Sequence, residues 1–201
     1  MVKADCGGCE GCSRCCHGMG KSIILDPYDV YRMTTGMGKS MQELLAASVE
    51  LNVVDGVILP NLKMQGTKEA CAYLDEEGRC SIHPYRPGIC RLFPLGRYYE
   101  NGGFSYFLQT GECAKENRSK IKVSKWIDTP DLTRNQQFTL QWHDLLHAME
   151  ERLTGEDEGK QREENLLLLR LFYLLPYEGT IDFYTQFTER MEHWNGQNGQ
   201  I

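Results

Sequence analysis

The chain has no long hydrophobic run, no apolar leader and no excess of positive charge. None of its apolar runs approaches the ~20 residues of a membrane span, so the sequence predicts a soluble protein without a membrane partner. The segment from Met1 to Cys6 has no apolar h-region and no small-residue cleavage site, so we expect a cytoplasmic location. A net charge of −6 argues against nucleic acid as a partner, because phosphate-binding domains are usually clearly basic.

Nucleotide-binding loops are also missing from the sequence. The run Gly36-Met-Gly-Lys-Ser40 has part of a phosphate loop, but it lacks the earlier glycine and a preceding core strand. The C-x3-C-x2-C signature of radical S-adenosylmethionine enzymes is not present as such. The sequence therefore assigns no nucleotide cofactor, no substrate and no catalytic residue, and it leaves open whether the protein is an enzyme.

The composition predicts a globular protein of the α+β class. The chain is 41% hydrophobic and 25% charged, and a chain of its length buries roughly 70% of its unfolded surface without help from a metal. We expect residues 1–125 to form a small metal-centred domain of short hairpins and helices. Residues 126–201 lack cysteine and have helical periodicity, so we expect a helical extension there.

Local signals predict the individual elements. Asp26 before Pro27 is a helix start, and Ser40 with Glu43 starts a second helical pattern that continues to Leu51. Turn signals at Gly and Asn predict the hairpins. The expected strand and hairpins span residues 22–25, 53–59, 71–80 and 97–108, and the expected C-terminal helices span 132–153, 163–175 and 181–194.

Cysteine is what the sequence has in abundance. Five of its nine cysteines fall within eleven residues at the N-terminus, and Cys-x-x-Cys turns bring two sulfurs close enough to share one metal ion or cluster. In a reducing compartment an odd number of cysteines is unlike a disulfide framework. The cysteines therefore predict a metal centre.

Two cysteine motifs resemble the signatures of a known family. Residues 9–16, Cys-Glu-Gly-Cys-Ser-Arg-Cys-Cys, and residues 79–94, from Arg79 through His83-Pro-Tyr-Arg-Pro to Pro94, are similar to those of the CxxCxxCC cysteine-cluster family. This YkgJ-like group is described as zinc- or iron-chelating, and flagellin lysine N-methylases are similar to it. Cys6 lies outside the pattern. The resemblance implies eight candidate metal ligands: Cys9, Cys12, Cys15, Cys16, Cys71, Cys80, Cys90 and Cys113.

The sequence alone leaves the kind of metal open. Adjacent Cys15 and Cys16 point to opposite sides in extended backbone, which suits two metals or one multinuclear cluster. Eight thiolates could bind two zinc ions, two iron-sulfur clusters or one of each. The spacing Cys6-x2-Cys9-x2-Cys12-x3-Cys16 matches a bacterial ferredoxin run without its proline, so we favour an iron-sulfur cluster, 4Fe-4S first, with zinc as the alternative. Arginines beside the ligands could offset the negative charge of the thiolates: Arg14, Arg79, Arg86 and Arg91.

Histidines are secondary candidates. His17 and His83 lie near the cysteines in sequence, and we expect them to support the ligands or lie at the surface. His143 and His147 have the i,i+4 spacing of a zinc-binding helix, but no glutamate follows the first histidine, so we expect a packed or exposed helix pair.

Two functional hypotheses follow. The first is an iron-sulfur protein for redox chemistry or for modifying a protein substrate, as the similarity to flagellin lysine methylases implies. The second is a non-enzymatic zinc-stabilised module for protein interaction or metal handling, with the helical third as its docking surface. The metal that the purified protein contains distinguishes the two.

Overall fold

Short antiparallel hairpins and helices form the fold, which confirms the predicted α+β class. The computed structural model of the 201-residue chain describes residues 1–5, 7 and 12–198. The strands are β1 Val2–Asp5, β2 Val49–Val54, β3 Val57–Leu62, β4 Met64–Gln65, β5 Ala70–Cys71, β6 Leu95–Glu100, β7 Gly103–Leu108 and β8 Ser119–Ile121. The helices are α1 Pro27–Met37, α2 Met41–Ala47, α3 Gly88–Leu92, α4 Val123–Ile127, α5 Leu132–Leu153, α6 Glu158–Leu169 and α7 Phe183–Asn198.

Each strand pairs with a single antiparallel partner in the described part of the chain. The pairs are β1 with β8, β2 with β3, β4 with β5, and β6 with β7. Asp55 and Gly56 both have positive φ, 50° and 83°, which confirms the turn predicted between β2 and β3. The β2–β3 register runs on to Val49 opposite Leu62, so the prediction that helix α2 continues to Leu51 is wrong. Pairing with β3 satisfies these backbone groups instead.

Capping boxes start both early helices, which confirms the helix start predicted at Asp26 and the capping box predicted at Ser40. The Asp26 side chain accepts a hydrogen bond from the Asp29 N–H, and the Asp29 carboxylate accepts one from the Asp26 N–H. Ser40 and Glu43 make the same reciprocal pair at α2. Such caps satisfy backbone donors that have no partner within the helix, so the two helix starts follow from local sequence.

One predicted strand and one predicted strand pairing are wrong. Residues 22–25 form no strand, since Ile24 makes only an isolated bridge to Asn61. The turn predicted between Cys71 and Cys80 is present, but the two cysteines do not pair across it. Cys71 pairs with Met64 in the β4–β5 hairpin, and Cys80 bridges Leu74. Met64 lies seven residues before Cys71 and Cys80 nine residues after it, so two local hairpins compete for Cys71, and the β4–β5 hairpin forms.

The main hydrophobic core joins α1 and the β2–β3 hairpin to the three C-terminal helices. Leu25, Met33, Leu168 and Phe172 are among its fully buried members. A smaller core around Leu92, Leu95 and Ile127 lies under β1, β7 and α4. The two cores hold the cysteine-bearing loops on a fixed support.

The second of the three predicted C-terminal helices, residues 163–175, differs from its prediction. It is interrupted, since α6 ends at Leu169 and a π-helical turn covers Arg170–Leu174. Leu166 and Leu175 are 55% and 48% exposed, so the segment is buried on one side only.

No helix within the described residues has the length and apolar character needed to cross a membrane.

Arg190 closes the C-terminal end of the π-helical turn. Its guanidinium donates hydrogen bonds to the carbonyl oxygens of Leu171, Leu175 and Pro176 at 2.8, 3.1 and 2.9 Å. It also lies 3.5 Å from the centroid of the Tyr177 ring. A buried guanidinium in this position satisfies carbonyls that the helix leaves without partners.

We expect Arg190→Met to lower the free energy of unfolding by about 2–4 kcal/mol, because it leaves buried carbonyls without donors. Urea unfolding followed by far-ultraviolet circular dichroism measures the change. Arg170→Met is the matched control, since Arg170 is exposed at the start of the same turn and should change stability by less than about 0.5 kcal/mol. Equal stability of the two variants would contradict the assignment.

Candidate metal centre

An antiparallel bridge brings the N-terminal cysteines to the middle of the chain. Cys15 and Cys16 lie in a short 3₁₀ turn, and His17 directly after it bridges Ala70. Ala70 precedes Cys71 in β5. The bridge therefore places the Cys15-Cys16 pair beside Cys71, although more than fifty residues separate them in sequence.

The next two cysteines reach the same region from other loops. Cys80 follows the turn that ends at Gly78, and Cys90 lies in the middle of α3. Both pack, together with Cys71, against the main hydrophobic core. Three separate segments thus contribute thiols to one neighbourhood.

Electrostatic interactions identify the thiols that lie near one another. The charges of Cys15, Cys71 and Cys90 raise the pKa of Cys16. The charge of Cys15 also raises the pKa of Cys80. The charges of Cys71, Cys15 and Cys80 raise the pKa of Cys90 in the same way. We call these five residues the central cysteine cluster: Cys15, Cys16, Cys71, Cys80 and Cys90. All five are half-buried free thiols.

The thiols of the central cysteine cluster differ in pKa. The Cys16 thiol donates a hydrogen bond to Cys15, which lowers the pKa of Cys15 to about 6, and the positive charge of Arg86 lowers it too. The same hydrogen bond raises the pKa of Cys16. Burial raises the pKa of Cys90, and the nearby charges of Asp29 and the other thiols raise it further. Cys15 is therefore the thiol of this cluster that ionises most readily.

Backbone N–H groups are directed at two of the sulfurs. The Tyr73 N–H donates to Cys71 and the Ile82 N–H donates to Cys80, in both cases from two residues further along the chain. These bonds lower the thiol pKa values, although burial is the larger effect and raises them. Hydrogen bonds to sulfur stabilise thiolates and tune the potential of iron-sulfur clusters.

Two further predicted ligands, Cys12 and Cys113, lie outside the central cysteine cluster. Cys12 and Cys113 line a narrow crevice with Cys15, under Phe93 and Trp126. The crevice has a volume of about 20 Å³, which is room for one water-sized particle. Cys15 borders both this crevice and the central cluster.

The metal role of the eight predicted cysteines stays a prediction. The structure brings five together and places Cys12 and Cys113 in the crevice, while Cys9 and Cys6 lie outside the described residues. Across residues 1–5, 7 and 12–198, no three His, Cys, Asp or Glu side chains are already arranged as ligands of one metal ion. The thiols are thus neighbours that fit a metal by their chemistry, but they do not form a finished coordination shell.

Asp29 is a supporting residue that the sequence analysis missed. Besides capping α1, it accepts a 2.6 Å hydrogen bond from the Gly88 N–H at the start of α3, two residues before Cys90. Burial, and then the charge of Asp26, raise the pKa of Asp29 to about 7, while Arg91 beside it acts in the opposite direction. The place of Asp29 three residues after Asp26, the N3 position of a capping box, is the local signal that could have found it. No local pattern signals the contact with Gly88, 59 residues away.

Gly36 on α1 supports the loop between Cys80 and Cys90. The Tyr85 ring lies flat against it, and a Cβ at Gly36 would overlap the ring carbons. Arg32, one turn earlier, donates a hydrogen bond to the Pro84 carbonyl. The loop therefore rests on α1 through two contacts, of which the one with Tyr85 leaves no room for a Cβ at residue 36.

Arg86 connects this loop to the thiols. Its positive charge lowers the pKa values of Cys15 and Cys80, and its guanidinium contacts the His83 ring. His83 thus lies beside the centre and contacts Arg86. The expectation of a supporting histidine stays a prediction, because the His83 ring bonds to Arg86 and to no sulfur within the described residues.

These observations define a class of protein, one in which thiols from distant segments converge in a way that suits metal chelation. A family model described as "CxxCxxCC: Putative zinc- or iron-chelating domain" matches residues 8–139. The match covers more than half of the chain, so the chain belongs to this family, which supports metal binding. No curated protein and no solved structure matches the chain. The similarity to flagellin lysine N-methylases stays a prediction.

We expect Gly36→Ala to destabilise the protein by about 1–3 kcal/mol, because the added methyl displaces Tyr85. Helix propensity alone predicts the opposite sign, a gain of about 1 kcal/mol. The double variant Gly36→Ala/Tyr85→Ala removes the clash and should recover most of the difference. Urea unfolding of the four proteins gives the coupling energy. A stabilised Gly36→Ala protein would show that the ring contact is not restrictive.

We expect Arg86→Met to raise the pKa of Cys15 above its value of about 6, because a nearby positive charge that favours the thiolate is lost. Iodoacetamide alkylation of metal-free protein against pH, resolved by residue in mass spectrometry, measures the midpoint. Arg79→Met is the control, since Arg79 acts on His83 instead. Identical midpoints in wild type and Arg86→Met would exclude an effect of Arg86 on Cys15.

Proposed function

We propose that this chain binds an iron-sulfur cluster, with 4Fe-4S as the first candidate, through the central cysteine cluster. The observation that carries the proposal is the meeting of Cys15 and Cys16 with Cys71, Cys80 and Cys90 in one neighbourhood. Five half-buried thiols supply the four that such a cluster needs. Bound there, the cluster would supply electron transfer or activation of a protein-modifying reaction.

Charge in the neighbourhood suits an anionic metal-thiolate group. Four thiolates around a 4Fe-4S core in its 2+ state leave a net charge of about −2. The positive charge of Arg86 acts on Cys15 and Cys80, and the Tyr73 and Ile82 N–H groups donate to sulfurs. These residues would stabilise the thiolates, while the surrounding core limits access of water to Cys90.

A zinc-stabilised module is the second candidate, and the crevice favours it. Cys12, Cys15 and Cys113 are among the residues that line a crevice of about 20 Å³, a volume that suits a single ion better than a four-iron core. A structural zinc there would hold the N-terminal turn against the segment after β7 and would have no catalytic role. The two candidates are compatible, because they use largely different cysteines.

The cellular location and the partner are the same for both candidates. We infer a cytoplasmic protein that acts on, or binds to, another protein, as the family resemblance to flagellin lysine methylases suggests. The reducing cytoplasm would keep the seven described cysteines as free thiols.

Metal analysis of anaerobically purified protein tests the proposal. We expect iron and sulfide, with absorbance near 400 nm that bleaches on reduction. Cys71→Ser and Cys90→Ser should each lose most of this absorbance. Cys113→Ser is the matched control, because it removes a half-buried thiol outside the central cluster and should keep the spectrum.

Three outcomes separate the candidates. Colourless protein with stoichiometric zinc would reject the iron-sulfur cluster in favour of the zinc module. Loss of the iron spectrum in Cys113→Ser would contradict the division of the cysteines into two groups. Protein without bound metal would reject both candidates.

A further inference from the structure

Two histidines on α5 form a pair that the cysteine centre does not use. His143 and His147 lie one turn apart on the same helix face, with ring centroids separated by 6.4 Å. Their side chains are 37% and 59% exposed, so both are open to solvent. Two imidazoles in this register are suited to chelation of one divalent ion.

Each histidine has a carboxylate at its Nδ1 atom. His143 Nδ1 lies 3.3 Å from Asp144 Oδ1, and His147 Nδ1 lies 3.6 Å from Glu151 Oε1. A carboxylate at this position favours the tautomer in which Nδ1 carries the proton, which leaves the Nε2 lone pair free. Histidines that bind metals in proteins are usually oriented by a carboxylate in this way.

Tyr99 fixes the first ring of the pair. The His143 ring stacks on Tyr99 of β6 with centroids 3.8 Å apart and an interplanar angle of 13°. Tyr99 itself packs against Phe104 across the β6–β7 hairpin, at 5.4 Å between centroids. One imidazole is therefore held by packing before any ion arrives, and the more exposed His147 is free to turn toward it.

We propose that His143 and His147 form a second cation site, separate from the cysteines, for a late first-row divalent ion such as Zn²⁺ or Ni²⁺. With Zn–N bonds of about 2.1 Å, two rings sharing an ion tetrahedrally have centroids about 5 Å apart. Rotation of the exposed His147 side chain closes the remaining distance. Two protein ligands leave the other positions to water, so the ion would exchange readily.

Charge around the pair favours a cation. Asp144 and Glu151 accompany the two rings, and Glu150 is exposed on the next turn of the same helix. The N-terminal and central cysteines lie on other elements, so occupation of the two sites can be measured separately.

The test is a Ni²⁺ titration of the full chain as purified, with its cysteine centre loaded. Isothermal calorimetry gives affinity and stoichiometry, and paramagnetic broadening of imidazole NMR signals identifies the histidines. His143→Phe keeps a ring stacked on Tyr99 but removes the ligand nitrogen, and His147→Gln removes the other. Because a chelate needs both ligands, each variant should weaken binding by about tenfold or more.

His193→Gln is the matched control, since His193 is an exposed histidine on α7 and should leave the affinity unchanged. Broadening should appear first at His143 and His147 together. Unchanged affinity in His143→Phe or His147→Gln would overturn the proposal. Two independent weak sites, each lost with one histidine, would overturn it as well.

Discussion

Crowding of half-buried thiols is the constraint on which the rest of this structure depends. Burial raises the pKa of Cys90, and the nearby Asp29, Cys71 and Cys15 raise it further. Each additional thiolate in such surroundings costs free energy unless positive charge offsets it. Arg86 supplies one charge, and a bound metal cation would supply more. A cation bound among these sulfurs, as we propose, would lower the free-energy cost of ionising them.

The scaffold holds the thiol-bearing loops through α1 and the bridge at His17. Asp29 on α1 reaches the start of α3, Gly36 supports the Tyr85 ring, and His17 joins the N-terminal turn to β5. These contacts connect the thiol-bearing loops, which contain little regular structure, to the main hydrophobic core. The loops are thus positioned by specific contacts with α1 and by one short bridge to β5, and not by a continuous sheet.

Features with local signals could be predicted from the sequence, and partnerships across long separations could not. The helix starts at Asp26 and Ser40 have their whole cause within four residues, and both were predicted correctly. The Asp29 contact with Gly88 spans 59 residues and depends on packing of the whole domain. Cys71 has a possible partner on each side in sequence, and no local signal shows that it pairs with Met64 instead of Cys80. The motifs singled out the cysteines, but only the fold separates the central cluster from Cys12 and Cys113.

X-ray absorption spectroscopy of the anaerobically purified full chain tests most directly whether these sulfurs share a metal. The convergence of Cys15, Cys71 and Cys90 predicts a first coordination shell of about four sulfur atoms near 2.3 Å, whether the metal is iron or zinc. A first shell made only of nitrogen and oxygen would contradict a thiolate centre.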